Sequence, residues 1–319
     1  MNSARDIKRR IKSINNTKKI TRAMEMVSAA KMRRSVASVV GIRPYAHSAW
    51  SVLTNLARAF KDHREGLLEV REVKSVLVIA IASNRGLCGS FNAQVAKKIK
   101  DELSDPSKLK INRIGDKKLE SNVPNSELKI DFITIGKKGE AMVRRLGKEI
   151  VATFPELTYL PKIEDVRAVA KIVIADYLEK KYDKVAVIYT DFVSAINQQT
   201  RIRQILPVSK VDLEKQIAEM DVLAKEVGMK EPELEYKIEP SPKELLDYIF
   251  PRLIEMQIYH AILESNASKE SSRMLAMRNA TDAAGEMADG LTLAYNQLRQ
   301  AKITQEIAEI SAGKATLEG

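Results

Sequence analysis

Cysteine, tryptophan and histidine are nearly missing from this chain: one, one and three in 319 residues, with aromatics at 5%. Cys88 alone can form neither an intrachain disulfide nor a cysteine-cluster metal site, and the scattered histidines have no ligand spacing. No structural metal is therefore expected. The longest apolar run, Val76 to Ala82, is much too short to cross a bilayer, and the charged N-terminus lacks the apolar stretch of a signal peptide. A soluble, non-secreted chain is the expectation. Neither a phosphate-cradling G-x-x-x-x-G-K-[ST] loop nor the three-glycine dinucleotide fingerprint occurs. Asp191, Glu264 and Asp282 stand as isolated carboxylates, and no nucleophile, base and oxyanion set is evident, so the residues point to a non-enzymatic protein.

Proline is also absent after Pro251, which leaves a helix from about Lys243 to Ala312 free of ring clashes, on the order of 100 Å long at 1.5 Å per residue. Along it Met277, Ala280, Ala284, Met287, Leu291, Ala294, Leu298 and Ala301 alternate at spacings of three and four, the period of a left-handed coiled-coil seam. A stripe half made of alanine buries little but lets two backbones approach closely, so a slender shaft is expected. Gly285 and Gly290 weaken it, each by roughly 1 kcal/mol relative to alanine.

The partner helix is at the other end of the chain. Ile7, Ile11 and Ile14 begin a stripe that Ile20, Ala23, Val27 and Ala30 continue in a shifted frame, which predicts a seam that rotates round the helix. Ser3 is the candidate N-cap, with Asp6 in the first turn. Pro44, after Gly41, is expected to kink or interrupt the helix before it resumes through Trp50, Leu53, Leu56 and Phe60. The net charge is +11, and up to Val40 eleven bases face only Asp6 and Glu25, a surface that wants an acidic partner. Nucleic acid, a merely solvated face and an acidic protein surface are all open; few aromatics and bases on several faces argue against a groove binder.

The middle of the chain reads as α/β. Ser75 to Ala82 is a strand-length apolar run followed by a glycine loop and a helix from about Asn92 to Leu103. Further strands are expected at Lys129 to Ile135, Glu149 to Phe154, Lys184 to Tyr189 and Thr200 to Leu206, with helices near Gly139 to Leu146 and Asp165 to Lys181. That alternation implies a mostly parallel sheet covered by helices, while polar Asp105 to Ser126 resists assignment. Gly86 and Gly89 are read as turn and packing glycines, and Cys88 as inert among apolar neighbours; a phosphate site or a reactive thiol is the alternative. The fold class is thus α/β, a long antiparallel coiled coil of N- and C-terminal helices around a central Rossmann-like domain. Its expected parts are 1–66, 74–209, a charged extension 210–240, and 241–319.

Three separated motifs carry a resemblance: Ile20 to Met32 (ITRAMEMVSAAKM), Arg85 to Gly89 (RGLCG), and Ala301 to Ile307 (AKITQEI) with Glu309 and Ile310. Ser272 to Met277 and Ala280 to Ala283 add to them, and in order and spacing the set is similar to the gamma subunit family of rotary F-type ATP synthases. The resemblance implies a non-catalytic rotor shaft that couples a membrane proton or sodium ring to the catalytic sites of beta subunits. Its implied partners are the alpha and beta subunits, one copy of this chain per three of each, the epsilon subunit and the c-ring, with no nucleic acid, no small molecule and no cofactor. The absence of a transit peptide favours a bacterial chain, peripheral on the cytoplasmic face of the plasma membrane, and a processed organellar protein reads the same. A basic coiled-coil nucleic-acid-binding protein is the alternative.

By the same resemblance Arg299, Gln300 and Thr304 match positions that contact beta-subunit loops, and Met24 and Arg273 match the coupling contact near an acidic beta-subunit lever. Seam packing is an equal reading for Met24, and Arg273 falls at a seam position of the strict three-four frame. Relative to shorter family members the chain is extended near Ser104 to Glu127 and Val211 to Glu231. The second extension places Leu213, Ile217, Met220, Ala224 and Val227 on one helical face, and without cysteine it has no counterpart of the dithiol switch of photosynthetic relatives. The region leading to Tyr236 is expected near the ring.

Overall fold

Alternate residues of the first strand both meet apolar surroundings, and the sheet is built round that fact. The computed structural model describes residues 4–42, 44, 45, 48, 66–114, 117–125, 127–155, 157–208 and 242–318. Strand β1 (Ser75–Ile81) turns Leu77, Ile79 and Ile81 to one face and Val76, Val78 and Ala80 to the other, all buried. A strand apolar on both sides belongs inside a covered sheet, and each such aliphatic side chain contributes roughly 1.5–3 kcal/mol when fully buried.

Strands β2 (Ile111–Ile114) and β3 (Lys117–Glu120) form a separate antiparallel hairpin in the polar stretch that resisted assignment. The main sheet runs β5 (Ile150–Phe154), β4 (Lys129–Ile135), β1, β6 (Lys184–Phe192), β7 (Gln198–Leu206). Four strands are parallel and β7 is antiparallel to β6. One face is covered by Val95 and Ile99 of helix α2 (Phe91–Ser104) and Val143 of α3 (Lys137–Arg145). The other is covered by Val166, Val169 and Val173 of α4 (Ile163–Leu178) and by Leu253, Ile254 and Ile258 of the 77-residue α5 (Pro242–Glu318). Pro251 lies inside α5, where it removes one backbone donor from the helix.

The glycine loop after β1 is closed by side chains. Asn92 accepts from the Ser83 amide at 3.2 Å and donates to Cys88 Sγ at 3.1 Å, so Cys88 is buried with its sulfur beside polar groups of the loop and not among the apolar neighbours expected. Gly89 takes φ 54°, the left-handed turn expected of it, but Gly86 has open space around it and the other left-handed residue is Leu87, which points outward. The close strand-helix approach belongs to Gly136 instead: at φ 92°, a Cβ there would stand 2.3 Å from the Ala82 carbonyl.

Beyond Ile188, strand β6 has run past its β1 partner, and α5 takes over the ladder. Thr190 donates its amide to Ser265 Oγ at 3.1 Å and accepts at its carbonyl from Ser268 Oγ at 3.1 Å. Ser271 and Asn266 likewise donate to the carbonyls of Ala195 and Thr158. The segment His260 to Ser272 is therefore buried or nearly so despite its polarity, because its side chains satisfy loop and strand backbone.

The chain forms two compact units, Met1–Ser28 with Arg273–Gly319, and Ala29–Ser272. The first is an antiparallel pair made by α1 (Ala4–Gly41) and α5. Its seam differs from the apolar count on both helices. On α5, Met277, Thr281, Ala284, Gly285 and Ala288 are buried, whereas Met287 is 63% exposed and Leu298 is 43% exposed. On α1 the expected frame shift does not occur: Ile20, Ala23 and Val27 are exposed, and the heptad begun by Ile7 and Ile14 continues through Thr21 and Ser28. Hydroxyl residues hold seam positions because each can bond to its own helix, Thr21 to the Lys18 carbonyl and Thr281 to the Met277 carbonyl. Helix α1 stops at Gly41, ahead of Pro44. Ser3, Trp50, Leu53, Leu56 and Phe60, the 211–231 face and Tyr236 lie outside the described residues.

Candidate functional site

All five residues singled out from the sequence fall in the helix-pair unit. Thr21 faces Thr281 and Lys18 faces Gly285, so the two helices are in a register where residue numbers sum to about 302. By that register Ala4 stands level with about residue 298, and α5 continues past it. Every residue from Asn296 to Ala312 is exposed.

Arg299, Gln300 and Thr304 are in that stretch. Gln300 and Thr304, four apart, share one face, and the Thr304 hydroxyl donates to the Gln300 carbonyl at 3.0 Å, which fixes it against the helix with its lone pairs outward. Arg299 is about 100° further round and presents its guanidinium to solvent. Ile303, Ile307 and Ile310 recur at i, i+4 and i+7 on another face and are 48%, 59% and 73% exposed. This helix end exposes a guanidinium fork, an amide, a hydroxyl and an isoleucine stripe, so it carries both polar and apolar groups at its surface.

Met24 and Arg273 are half-buried and flank the seam. The register places Arg273 about five residues, or roughly 7 to 8 Å along the axis, from the level of Met24. In the observed frame Met274, not Arg273, continues the seam of Met277 and Thr281. Glu25 occupies the neighbouring seam position on α1 and is paired with Arg22 at 2.9 Å. The bases Arg5, Lys8, Arg9, Arg10, Lys12, Lys19, Arg22, Arg33 and Arg34 are exposed along α1. No group of His, Cys, Asp and Glu able to hold a metal ion occurs among the described residues.

Sequence reasoning did not single out the exposed isoleucine stripe of Ile303, Ile307 and Ile310, although its spacing was readable, because those residues fall outside the alanine seam. It also missed the buried serines of α5, which composition alone assigns to a solvated face.

A profile of the ATP synthase family matches residues 3–317. The ATP synthase gamma chain of Legionella pneumophila (strain Corby) is 36% identical over 317 residues, covering 99% of this chain and 100% of that one. The ATP synthase gamma chain of Roseiflexus castenholzii is 39% identical over 319 residues, covering 99% of each. Among solved structures, a chain of the Euglena gracilis mitochondrial ATP synthase superposes with a TM-score of 0.61 at 16% identity, over 98% of this chain and 94% of that one. A chain of the central stalk and c-ring of the Tetrahymena thermophila enzyme gives 0.57 at 24% identity, over 82% and 99%. These likenesses carry the fold of long terminal helices and a central α/β domain, and the near end-to-end identity with gamma chains carries the family. The chain belongs to the ATP synthase gamma chain family.

Proposed function

We propose that this chain is the central rotor stalk of an F-type ATP synthase, a non-catalytic component that couples rotation of a membrane ion ring to conformational change in the catalytic beta subunits. The observation that carries the reading is identity of 36% and 39% with ATP synthase gamma chains across 99% of the chain. Its partners are three alpha and three beta subunits around one copy of this chain, an epsilon subunit and the c-ring, at the cytoplasmic face of a bacterial plasma membrane.

The mechanism follows from asymmetry. Three chemically identical sites differ in affinity only when something contacts them differently, and a single-copy helix pair offers each a different face. Moving one site from 1:99 to 99:1 closed needs about 5.5 kcal/mol of differential contact energy, within reach of a few charge-assisted hydrogen bonds and apolar contacts. Arg299, Gln300 and Thr304 supply the polar contacts and the stripe of Ile303, Ile307 and Ile310 the apolar ones. Met24 and Arg273 act at the coupling contact, and the basic face of α1 meets acidic protein surface; none of the three comparisons favours the nucleic-acid alternative.

Native mass spectrometry of the chain mixed with purified alpha and beta subunits, followed by an ATPase assay of the assembled fraction, tests this. One copy per three alpha and three beta, with hydrolysis slowed by Arg299→Ala combined with Gln300→Ala, is the expected result. Failure to assemble, with a DNA-binding homodimer in its place, would return the chain to the basic coiled-coil class.

A further inference from the structure

We propose that the loop 157–161, between β5 and α4, is a joint through which torque passes between the sheet and the two long helices, with Tyr159 and Asn266 as positioning residues. This rests on the rotor reading above, in which a twist has to be carried along the chain's helices.

The loop reaches both helices. From α1, the Ser35 hydroxyl donates to the Tyr159 carbonyl at 3.0 Å, Arg34 donates to the Tyr159 hydroxyl at 3.3 Å, and the Lys31 ammonium lies 5.5 Å from the centre of its ring. Lys31, Arg34 and Ser35 share one face of α1, being three and four residues apart. From α5, Asn266 donates to the Thr158 carbonyl at 3.0 Å and the Tyr259 hydroxyl donates to the Pro161 carbonyl at 2.9 Å. One short loop thus takes bonds from helices at opposite ends of the chain. All of these residues belong to the Ala29–Ser272 unit, and both helices continue past its limits.

The loop is fixed at its own base. The Lys162 amide donates to the Asp165 carboxylate at 2.8 Å where α4 begins, and α4 packs on the sheet through Val166, Val169 and Val173. Sheet, α4, loop and helices are therefore linked in series.

Another side of α5 is held as well. Ser265 and Ser268 bond to the Thr190 backbone, and Ser272 donates to the Gln198 side chain at 3.1 Å. These serines form a row at i, i+3 and i+7, and Tyr259 with Asn266 forms a second row roughly 140° round the helix. Every residue from Glu264 to Ser272 is buried, and only Ala267 among them is apolar. Apolar contacts are non-directional, whereas hydrogen bonds weaken steeply as their angles open, so two polar rows add a resistance to twisting that packing alone does not give. Resistance to rotation about the helix axis is the load that a shaft carries.

The test uses the complex of this chain with alpha and beta subunits, fixed to glass and stalled with a non-hydrolysable ATP analogue. A bead is attached at Arg145→Cys, an exposed position on α3, while Cys88 is buried and escapes labelling. The variance of the bead's angle reports torsional stiffness. Tyr259→Phe with Asn266→Ala, or Ser265→Ala with Ser268→Ala, removes one of the two grips on α5 and about doubles that variance, as for two independent contributions of similar size. ATP hydrolysis by the unstalled complex is unchanged in both. Val173→Ala, a core change away from the joint, lowers stability and leaves the variance at the wild-type value, which separates stiffness from mere stability. Wild-type variance in both double variants, or an equal rise in Val173→Ala, would overturn the joint and leave the rotor reading standing. A wild-type chain that does not assemble, or a bead that does not turn when ATP is supplied, would overturn the rotor reading and this role of the loop with it.

Discussion

The hydroxyls of Thr21 and Thr281 meet at 2.8 Å across the seam between α1 and α5, 260 residues apart in the chain. Both residues are buried, and each hydroxyl is also close to a carbonyl of its own helix, Lys18 at 3.1 Å and Met277 at 2.8 Å. One hydroxyl can donate along its helix while the other donates across, and the cross-helix bond forms only in this register. Thr281→Val keeps the shape and removes the cross-helix hydrogen bond, while the Thr21 hydroxyl keeps its bond to the Lys18 carbonyl, at a cost of about 0.5–1.5 kcal/mol. The double change Thr21→Val with Thr281→Val removes both polar groups and recovers most of that loss. Urea unfolding followed by helical circular dichroism measures it. A single variant as stable as wild type would mean that the hydroxyls do not meet in solution.

The seam frame makes a second prediction from adjacent residues. Met287 is 63% exposed and Ala288 is 6% exposed. Met287→Ala leaves stability within about 0.5 kcal/mol, as expected for a surface change, while Ala288→Met forces a long side chain into the interface at about 1–3 kcal/mol. Thermal unfolding of the two variants ranks them. If Met287→Ala were the costlier change, the frame read from apolar spacing alone would be restored.

That contrast explains what was legible in the sequence. The strands at Ser75, Lys129 and Lys184 were placed at their observed starts because continuous apolar runs have few other solutions in an α/β chain. The existence of two long terminal helices was equally plain. The seam was not, since its central residues are Thr21, Ser28, Thr281 and Gly285, none of which an apolar count selects, and an apolar count promotes exposed Ile20 and Met287 in their place. The hairpin of Ile111 to Glu120 is too short and too polar for periodicity to register, although Lys184 and Asn112 tie this part of the extension to the body. For the candidate site, Arg299, Gln300 and Thr304 came from motif likeness, and their exposure on α5 above the level of Ala4 is a fact of register that no single-helix pattern contains.

Two glycines separate propensity from geometry. Gly285 is buried in the helix pair, and a Cβ there would stand 3.0 Å from Lys18 Nζ, the far end of a flexible side chain. Lys18 can swing aside, so Gly285→Ala gains up to about 1 kcal/mol of helix propensity. Gly136→Ala has no such escape, because its Cβ would meet the Ala82 carbonyl at 2.3 Å and its backbone is left-handed at φ 92°. It destabilises the α/β unit by more than the gain at Gly285. Opposite shifts in melting temperature are expected, and a destabilising Gly285→Ala would indicate that Lys18 is locked over the glycine.

Acid should weaken the α/β unit through one histidine. His260 is fully buried on α5, and its pKa is pushed down to about 3, first by burial and then by the charge of Arg203. Glu264 lies 3.5 Å from Nε2, but a neutral imidazole makes this contact something other than an ion pair. Unfolded, the same imidazole titrates near 6.5, so below that pH the unfolded chain binds a proton that the native one refuses. Stability therefore falls as pH drops from about 6.5 towards 3, with a limiting slope of about 1.4 kcal/mol per pH unit. His260→Leu removes this dependence and flattens the upper part of the profile, between about pH 6.5 and 5, before the carboxylates begin to titrate. Urea midpoints of wild type and variant across that window decide it: converging curves as pH falls place the neutral imidazole in the native core, and parallel curves would show that the native histidine takes up its proton as freely as the unfolded one.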